Sequence, residues 1–291
     1  MTKPIAWTIA GSDSGGGAGV QADLKVMNLL GVHACSVITA LTAQNTVGTG
    51  LLEWVAPDML KAQLDALQSD LPPVAVKLGM LGTVETIEIV TRFLTGTHVP
   101  FTVCDPVLIS SSGTFLLEAK AWPLVTEKLF PVIDLITPNL PEAEHLLGME
   151  IATPSDIETA ANIALSLGVN EVLIKGGHGS HDVELSSDYW SDGTDRAWLS
   201  SPRIETRSSH GTGCVLSSAI AAARALGCQP LDSIVLAKTY LNQGLRQAPD
   251  LGNGYGPLAF NPWEKAEEDL PMISKTAEDP GVRAEFPVFG N

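Results

Sequence analysis

Positive charge is in short supply: 17 lysines and arginines stand against 33 aspartates and glutamates, for a net charge of −16. Such a surface repels nucleic acid and anionic lipid, so neither is expected as a partner. An anionic small molecule could still be held, through backbone donors and a few placed lysines. Cysteine is scarce too. Cys35, Cys104, Cys214 and Cys228 form no C-x-x-C pair and have no zinc-ligand spacing. Cys35 and Cys104 lie in apolar runs and are expected to be buried thiols. This usage fits a reducing cytosol and hence a cytoplasmic protein.

Other signals are missing. The apolar run from Ile5 to Ala10 is too short for a secretory leader. Val26 to Leu52 carries no charge, but Asn28, His33, Gln44 and Asn45 interrupt it, so it reads as buried helix, strand and loop rather than a bilayer span. No internal repeat or low-complexity segment is present. A Walker loop, G-x-x-x-x-G-K-[ST], is absent. Gly17-x-Gly19-x-x-Ala22 matches a loose dinucleotide fingerprint, yet no Asp or Glu between Asp23 and Glu53 is available to hold a ribose. A nicotinamide or flavin enzyme is therefore disfavoured.

What is present is a core: 45% of 291 residues are hydrophobic, enough for one large α/β domain. Apolar runs at 4–11, 34–41, 75–81, 101–108, 132–139 and 171–177 read as buried strands. Between them, 20–31, 58–71, 83–94, 118–129 and a segment ending at Gly168 have helical spacing. Thr83 is expected to cap one helix, and Ser155 with Glu158 to form a capping box on another. Pro141 sits in a first helical turn, where a missing N–H does no harm. Residues 12–19 and 42–50 read as loops, 182–201 as a β-hairpin, and 212–227 and 231–247 as helices. Strand and helix alternating without a linker imply one doubly wound, mostly parallel sheet with helices on both faces. That domain spans 1–263. From Glu264 the composition turns polar, and 264–291 is expected to be an irregular or mobile tail.

Every polar cluster follows a strand, where open α/β sheets bind ligands. His210-Gly211-Thr212-Gly213-Cys214 opens an apolar helix, a place where backbone N–H groups and the helix dipole favour an anion; the plain alternative is a loop entering a buried helix. Asp23, one turn into a helix, is either a solvated first-turn acid or an acceptor for a substrate hydroxyl. The Gln44 amide offers a donor and an acceptor together, suited to a heterocyclic amine edge, unless it only braces its loop. Asn139 and Glu142 could share a hard cation such as Mg²⁺, or simply form a helix cap. Asp105 ends a strand and could join them. Lys175 could reach a phosphate as a point charge. Lys238, on the last long helix, could equally be solvated.

In order, GSDSGGGAGVQADLK, ALTAQNT, DPV, TPNLPEAE, VLIKGGH and HGTGC resemble the hydroxymethylpyrimidine/phosphomethylpyrimidine kinases of the ribokinase-like superfamily, a resemblance that covers roughly residues 5 to 260. The resemblance implies an ATP- and Mg²⁺-dependent enzyme of thiamin synthesis, with no second thiamin-pathway domain appended. It would phosphorylate 4-amino-5-hydroxymethyl-2-methylpyrimidine and then its monophosphate. It also implies Gln44, Gly11, Asp23, Met80 and Val107 around the pyrimidine, and Asn139 and Glu142 at Mg²⁺ with Asp105 nearby. Lys175 and Lys238 would lie at the nucleotide, Gly211 to Gly213 would form an anion hole, and Cys214 would stand where relatives carry an aspartate base. A homodimer is implied by the resemblance alone.

Two departures concern the phosphate contacts and substrate preference: Ser111 and Ser112 where the family has a lysine before Ser-Gly, and Tyr255 where it has histidine. The alternatives are a pyridoxine or pyridoxal kinase of the same fold, and a non-catalytic ligand sensor. A thiol at a helix N-terminus is expected to have a lowered pKa. Cys214 would then serve as base for the alcohol, while a phosphate nucleophile would need none.

Overall fold

In a computed structural model, residues 3–108, 116–176 and 184–288 are described. Eleven strands among them form one sheet in the order β11-β10-β9-β8-β7-β6-β5-β4-β1-β2-β3. Its centre is parallel: β2 (His33–Gln44), β1 (Ile5–Asp13), β4 (Ala75–Leu78), β5 (Thr102–Cys104), β6 (Leu135–Ile136) and β7 (Glu171–Ile174). Consecutive residues of these strands feed opposite layers, as a pleated strand requires. Trp7, Val76, Cys104 and Ile136 join one core, and Ala6, Ala75, Val103 and Leu135 the other. Both faces are covered, which is why these strands read as unbroken apolar runs.

One layer holds α2 (Pro57–Asp70), α3 (Val84–Gly96), α5 (Leu140–Leu147) and α6 (Pro154–Ser166). The other holds α1 (Gly19–Leu29), α7 (Thr212–Ala225) and α8 (Pro230–Arg246). In α7 all nine residues from Val215 to Ala223 are buried. Its alanines and serines let it lie against α1, α8 and the sheet at once, as a helix apolar all round must.

Four expectations change. Residues 42–50 are not all loop: β2 runs to Gln44 and β3 (Thr49–Trp54) returns antiparallel beside it. This half-exposed edge has no apolar run to betray it. The box on α6 is Thr153 with Asp156, because Pro154 takes the first helical position and moves the cap back from Ser155. Helical turns of changing pitch replace a regular helix from Ala119 to Val132, with α4 reduced to Trp122–Leu124 between Pro123-disturbed turns. Finally, the polar tail extends the sheet. After the hairpin of β8 (Leu185–Ser191) and β9 (Arg196–Pro202), β10 (Met272–Ser274) pairs with β9 and β11 (Val282–Arg283) with β10. Buried Asp269 ties this segment to α8 through Arg246 at 2.7 Å. Ser111 and Ser112 lie outside the described residues. No helix among those described is long and apolar enough to cross a membrane.

Candidate active site

The chain order puts β1 between β2 and β4, so successive connections leave β1 in opposite directions and a crevice opens at the carboxyl ends. There lies a cavity of ≈ 1280 Å³. Gly11, Gln44, Met80 and Val107 line one part of it, and Asp105, Asn139, Glu142, Lys175, Lys238 and residues 211–214 line the rest. Gln44 and Cys214, far apart in sequence, thus share one chamber. Tyr255 stands exposed at its rim, its N–H donating to the Thr46 carbonyl.

Two glycine turns make the floor. Asp13 closes β1, and its carboxylate accepts from the N–H groups of Gly15, Gly17 and Ala18 at 2.8, 3.1 and 2.9 Å. His210 Nε2 adds a contact of 2.9 Å to the same carboxylate. Against the burial that raises it, the His210 hydrogen bond and those amides hold the Asp13 carboxyl below its ordinary range. Gly211 has φ +88°, and a Cβ there would lie 2.0 Å from the Gly17 carbonyl oxygen, so only glycine lets the two turns touch. Neither Asp13 nor His210 was assigned a role from sequence. An acid just before a glycine run, placed to collect amide hydrogens, was the available signal.

At the first turn of α7 no side chain caps the helix, so its N–H groups are offered to the cavity. Facing it is a charge cluster. Lys175 Nζ lies 2.7 Å from Asp105 Oδ1 and 3.9 Å from Glu142 Oε2. A Cβ on Gly213 would come within 2.8 Å of Asp105 Oδ2 and 3.3 Å of Lys175 Nζ, which fixes how near the cluster lies to the helix end. Burial, partly offset by Lys175, pushes the Glu142 carboxyl up to about 7. Asn139 and Glu142 form a reciprocal capping box on α5: Glu142 N–H donates to Asn139 Oδ1, and Asn139 N–H to Glu142 Oε2. Asn139 thus aims Glu142, and the carboxylate pair facing the turn is Asp105 with Glu142. Two carboxylates share one ammonium there, leaving a net negative, oxygen-rich site that fits a hard cation completing its shell with phosphate and water. Among the described residues no group of three or more His, Cys, Asp and Glu is arranged to hold a metal ion by itself.

Two placements, Asp23 and the Cys214 thiol, differ from the sequence reading, and for Lys238 the solvated alternative falls away. Asp23 is not on the cavity wall. It is fully buried, paired with Lys77 at 2.7 Å, and accepts from the hydroxyls of Thr8 and Ser218. Lys238 is not a solvated helix lysine: its Nζ is buried and donates to Asp188 Oδ2 at 2.6 Å and Ser186 O at 3.1 Å. The Cys214 thiol is not lowered. Burial raises it, Lys77 lowers it, Asp23 and Asp105 raise it again, and it reaches about 11. A raised thiol pKa means less thiolate at neutral pH. Alkylation of Cys214 by iodoacetamide, followed by mass spectrometry, is expected to accelerate about tenfold per pH unit from pH 7 to 9.5. A plateau near pH 8 would contradict the assignment.

Comparison with known proteins follows the geometry. A family model described as phosphomethylpyrimidine kinase matches residues 13–259. A hydroxymethylpyrimidine/phosphomethylpyrimidine kinase of Synechococcus elongatus is 43% identical over 258 residues, covering 89% of this chain and 97% of that protein. The crystal structure of a Clostridium difficile phosphomethylpyrimidine kinase superposes with a TM-score of 0.74 at 38% identity, covering 82% of this chain and 98% of its own. A Staphylococcus aureus pyridoxal kinase in complex with ADP has a TM-score of 0.85 at 28% identity, covering 94% and 98%. The architecture is that of the ribokinase-like fold.

Proposed function

This chain belongs to the phosphomethylpyrimidine kinase family, and on that premise we propose how its cavity divides the work of phosphorylating 4-amino-5-hydroxymethyl-2-methylpyrimidine, and then its monophosphate, at the expense of ATP in thiamin synthesis. The observation that carries the proposal is the Asp105–Lys175–Glu142 cluster set against the open first turn of α7, in the chamber that also holds Gln44.

Phosphoryl transfer asks a protein for position and charge stabilisation rather than covalent help. The N–H groups at this turn donate to the transferring phosphoryl oxygens. Lys175 supplies a fixed positive charge beside them. Asp105 and Glu142 would hold Mg²⁺, with Asn139 keeping Glu142 in place; the cation, when bound, neutralises phosphate charge and orients the donor. Gln44, with Gly11, Met80 and Val107, receives the pyrimidine. Lys238 braces the nucleotide side by anchoring Asp188, which in turn accepts the Gly176 N–H. Cys214 stays a neutral thiol and leaves the phosphate nucleophile of the second step unopposed. Sequence identity favours the aminopyrimidine over pyridoxal, at 43% against 28% to 33%. In a homodimer, a second copy would cover the apolar edge at Leu41, Val47 and Leu51.

The test is ADP release measured separately with the pyrimidine alcohol, its monophosphate and pyridoxal. Both pyrimidines are expected to turn over well and pyridoxal poorly. Lys175→Met is expected to lower kcat about 10²- to 10³-fold on both pyrimidines, the loss typical of one preorganised electrostatic contact. Equal turnover of pyridoxal, or an active Lys175→Met enzyme, would overturn the assignment.

A further inference from the structure

The Gln44 amide has partners that decide which of its two ends points where. Its terminal atoms lie 3.2 Å from His210 Nε2 on one side and 3.2 Å from Thr42 Oγ1 on the other. Oxygen and NH₂ of a primary amide are nearly isosteric, so the neighbours' hydrogens settle the orientation.

The hydrogens are already allotted. The Asp13 carboxylate takes three backbone N–H donors and can only accept. His210 Nε2, at 2.9 Å from it, must therefore carry a hydrogen. On the other side, the Thr42 hydroxyl gives its single hydrogen to the Ser12 carbonyl at 2.9 Å, leaving its oxygen free only to accept. With NH₂ toward His210 and oxygen toward Thr42, a donor meets a donor and an acceptor meets an acceptor. A half turn makes both contacts complementary: the one His210 Nε2–H is shared, as a three-centre bond, between the Asp13 carboxylate at 2.9 Å and Gln44 Oε1 at 3.2 Å, and Gln44 Nε2–H donates to Thr42.

We propose that the Asp13–His210–Gln44–Thr42 chain locks the Gln44 amide in one orientation, so that His210 and Thr42 determine which heterocycle edge the enzyme accepts. Each locked end keeps one valence: a second lone pair on Oε1 and a second hydrogen on Nε2. This edge matches a ring nitrogen beside an exocyclic amine. It is mismatched to the 4-oxo analogue, whose N–H and carbonyl present donor and acceptor in the reverse order. An amide free to rotate would greet both edges equally. His210 and Thr42 are thus positioning residues that act through Gln44. The inference rests on the reading of Gln44 as the pyrimidine contact.

The experiment compares the affinity of the 4-amino alcohol with that of its 4-oxo analogue by calorimetry without ATP, in the wild type, His210→Phe, Thr42→Val and Gln44→Ala. The wild type is expected to prefer the amine about 100-fold, as sites with committed hydrogen bonds reject mismatched analogues. His210→Phe and Thr42→Val are each expected to narrow that preference about tenfold, mainly by tightening binding of the 4-oxo compound, and Gln44→Ala to abolish it. If Gln44→Ala flattens the preference while His210→Phe and Thr42→Val keep the wild-type ratio, the lock is refuted and the Gln44 contact stands. If Gln44→Ala keeps the wild-type ratio, the contact itself fails. Should His210→Phe not fold, Thr42→Val alone decides between these outcomes.

Discussion

A Cys214→Asp enzyme is expected to make the pyrimidine monophosphate and then stall. The wild-type thiol, raised to about 11, is uncharged at neutral pH and contributes no repulsion to whatever lies over the α7 turn. Aspartate would place a full negative charge there. The first nucleophile is an alcohol, for which a nearby carboxylate is harmless and could even take the proton. The second is a phosphate bearing between one and two negative charges at neutral pH. Two unit charges about 4 Å apart repel by about 4 kcal/mol at an effective dielectric near 20. That is on the order of 10³ in rate, since each 1.36 kcal/mol is tenfold. Single-turnover rates for the two steps, measured separately on the variant, read this directly: the second-step rate should fall at least 100-fold relative to the first. An unchanged ratio would show that the neutrality of Cys214 is irrelevant.

The other large effect concerns stability. Lys77→Met is expected to cost about 3–5 kcal/mol, the usual penalty for orphaning a buried carboxylate. Lys77 and Asp23 both have fully buried side chains 2.7 Å apart, and Asp23 is further fixed to β1 by Thr8 and to α7 by Ser218. Against a total stability of about 5–15 kcal/mol, the melting temperature should drop by roughly 10 °C. A double variant, Lys77→Met with Asp23→Asn, should regain most of the loss. It leaves no lone charge; the new amide oxygen accepts from one of the two hydroxyls, and the amide NH₂ can donate to the oxygen of the other. Thermal unfolding of the three proteins settles it. A single variant within about 1 kcal/mol of wild type, or a double variant no better than the single, would remove the pair from the list of structural determinants.

The same pair shows where sequence reading stopped. The parallel centre of the sheet was legible because a strand covered on both faces must be apolar throughout. The motifs at its carboxyl ends were legible because each follows such a strand. The edges were not: β3, β10 and β11 are short and partly or fully exposed, with too few apolar residues in a row to read as buried strands. Asp23 was read with its helix alone, yet its partners come from 54 and 195 residues away. Cys214 failed for a related reason. A helix N-terminus lowers a thiol pKa, but burial and two carboxylates from other elements outweigh it here. For Asn139 and Glu142 both sequence readings bear on the outcome, since the N-x-x-E cap aims the carboxylate that would meet the cation. His210 belongs to a legible motif, but its own role was not legible because its partner Asp13 lies 197 residues earlier.

That long span has a consequence for biogenesis. The turn at Gly211 takes its shape by resting on Gly17, and the glycine loop after β1 is tied through Asp13 to His210. Neither turn can therefore be finished by its own neighbourhood. A nascent polypeptide emerging from the ribosome cannot shape either turn until the last third of its length has docked onto the first strand.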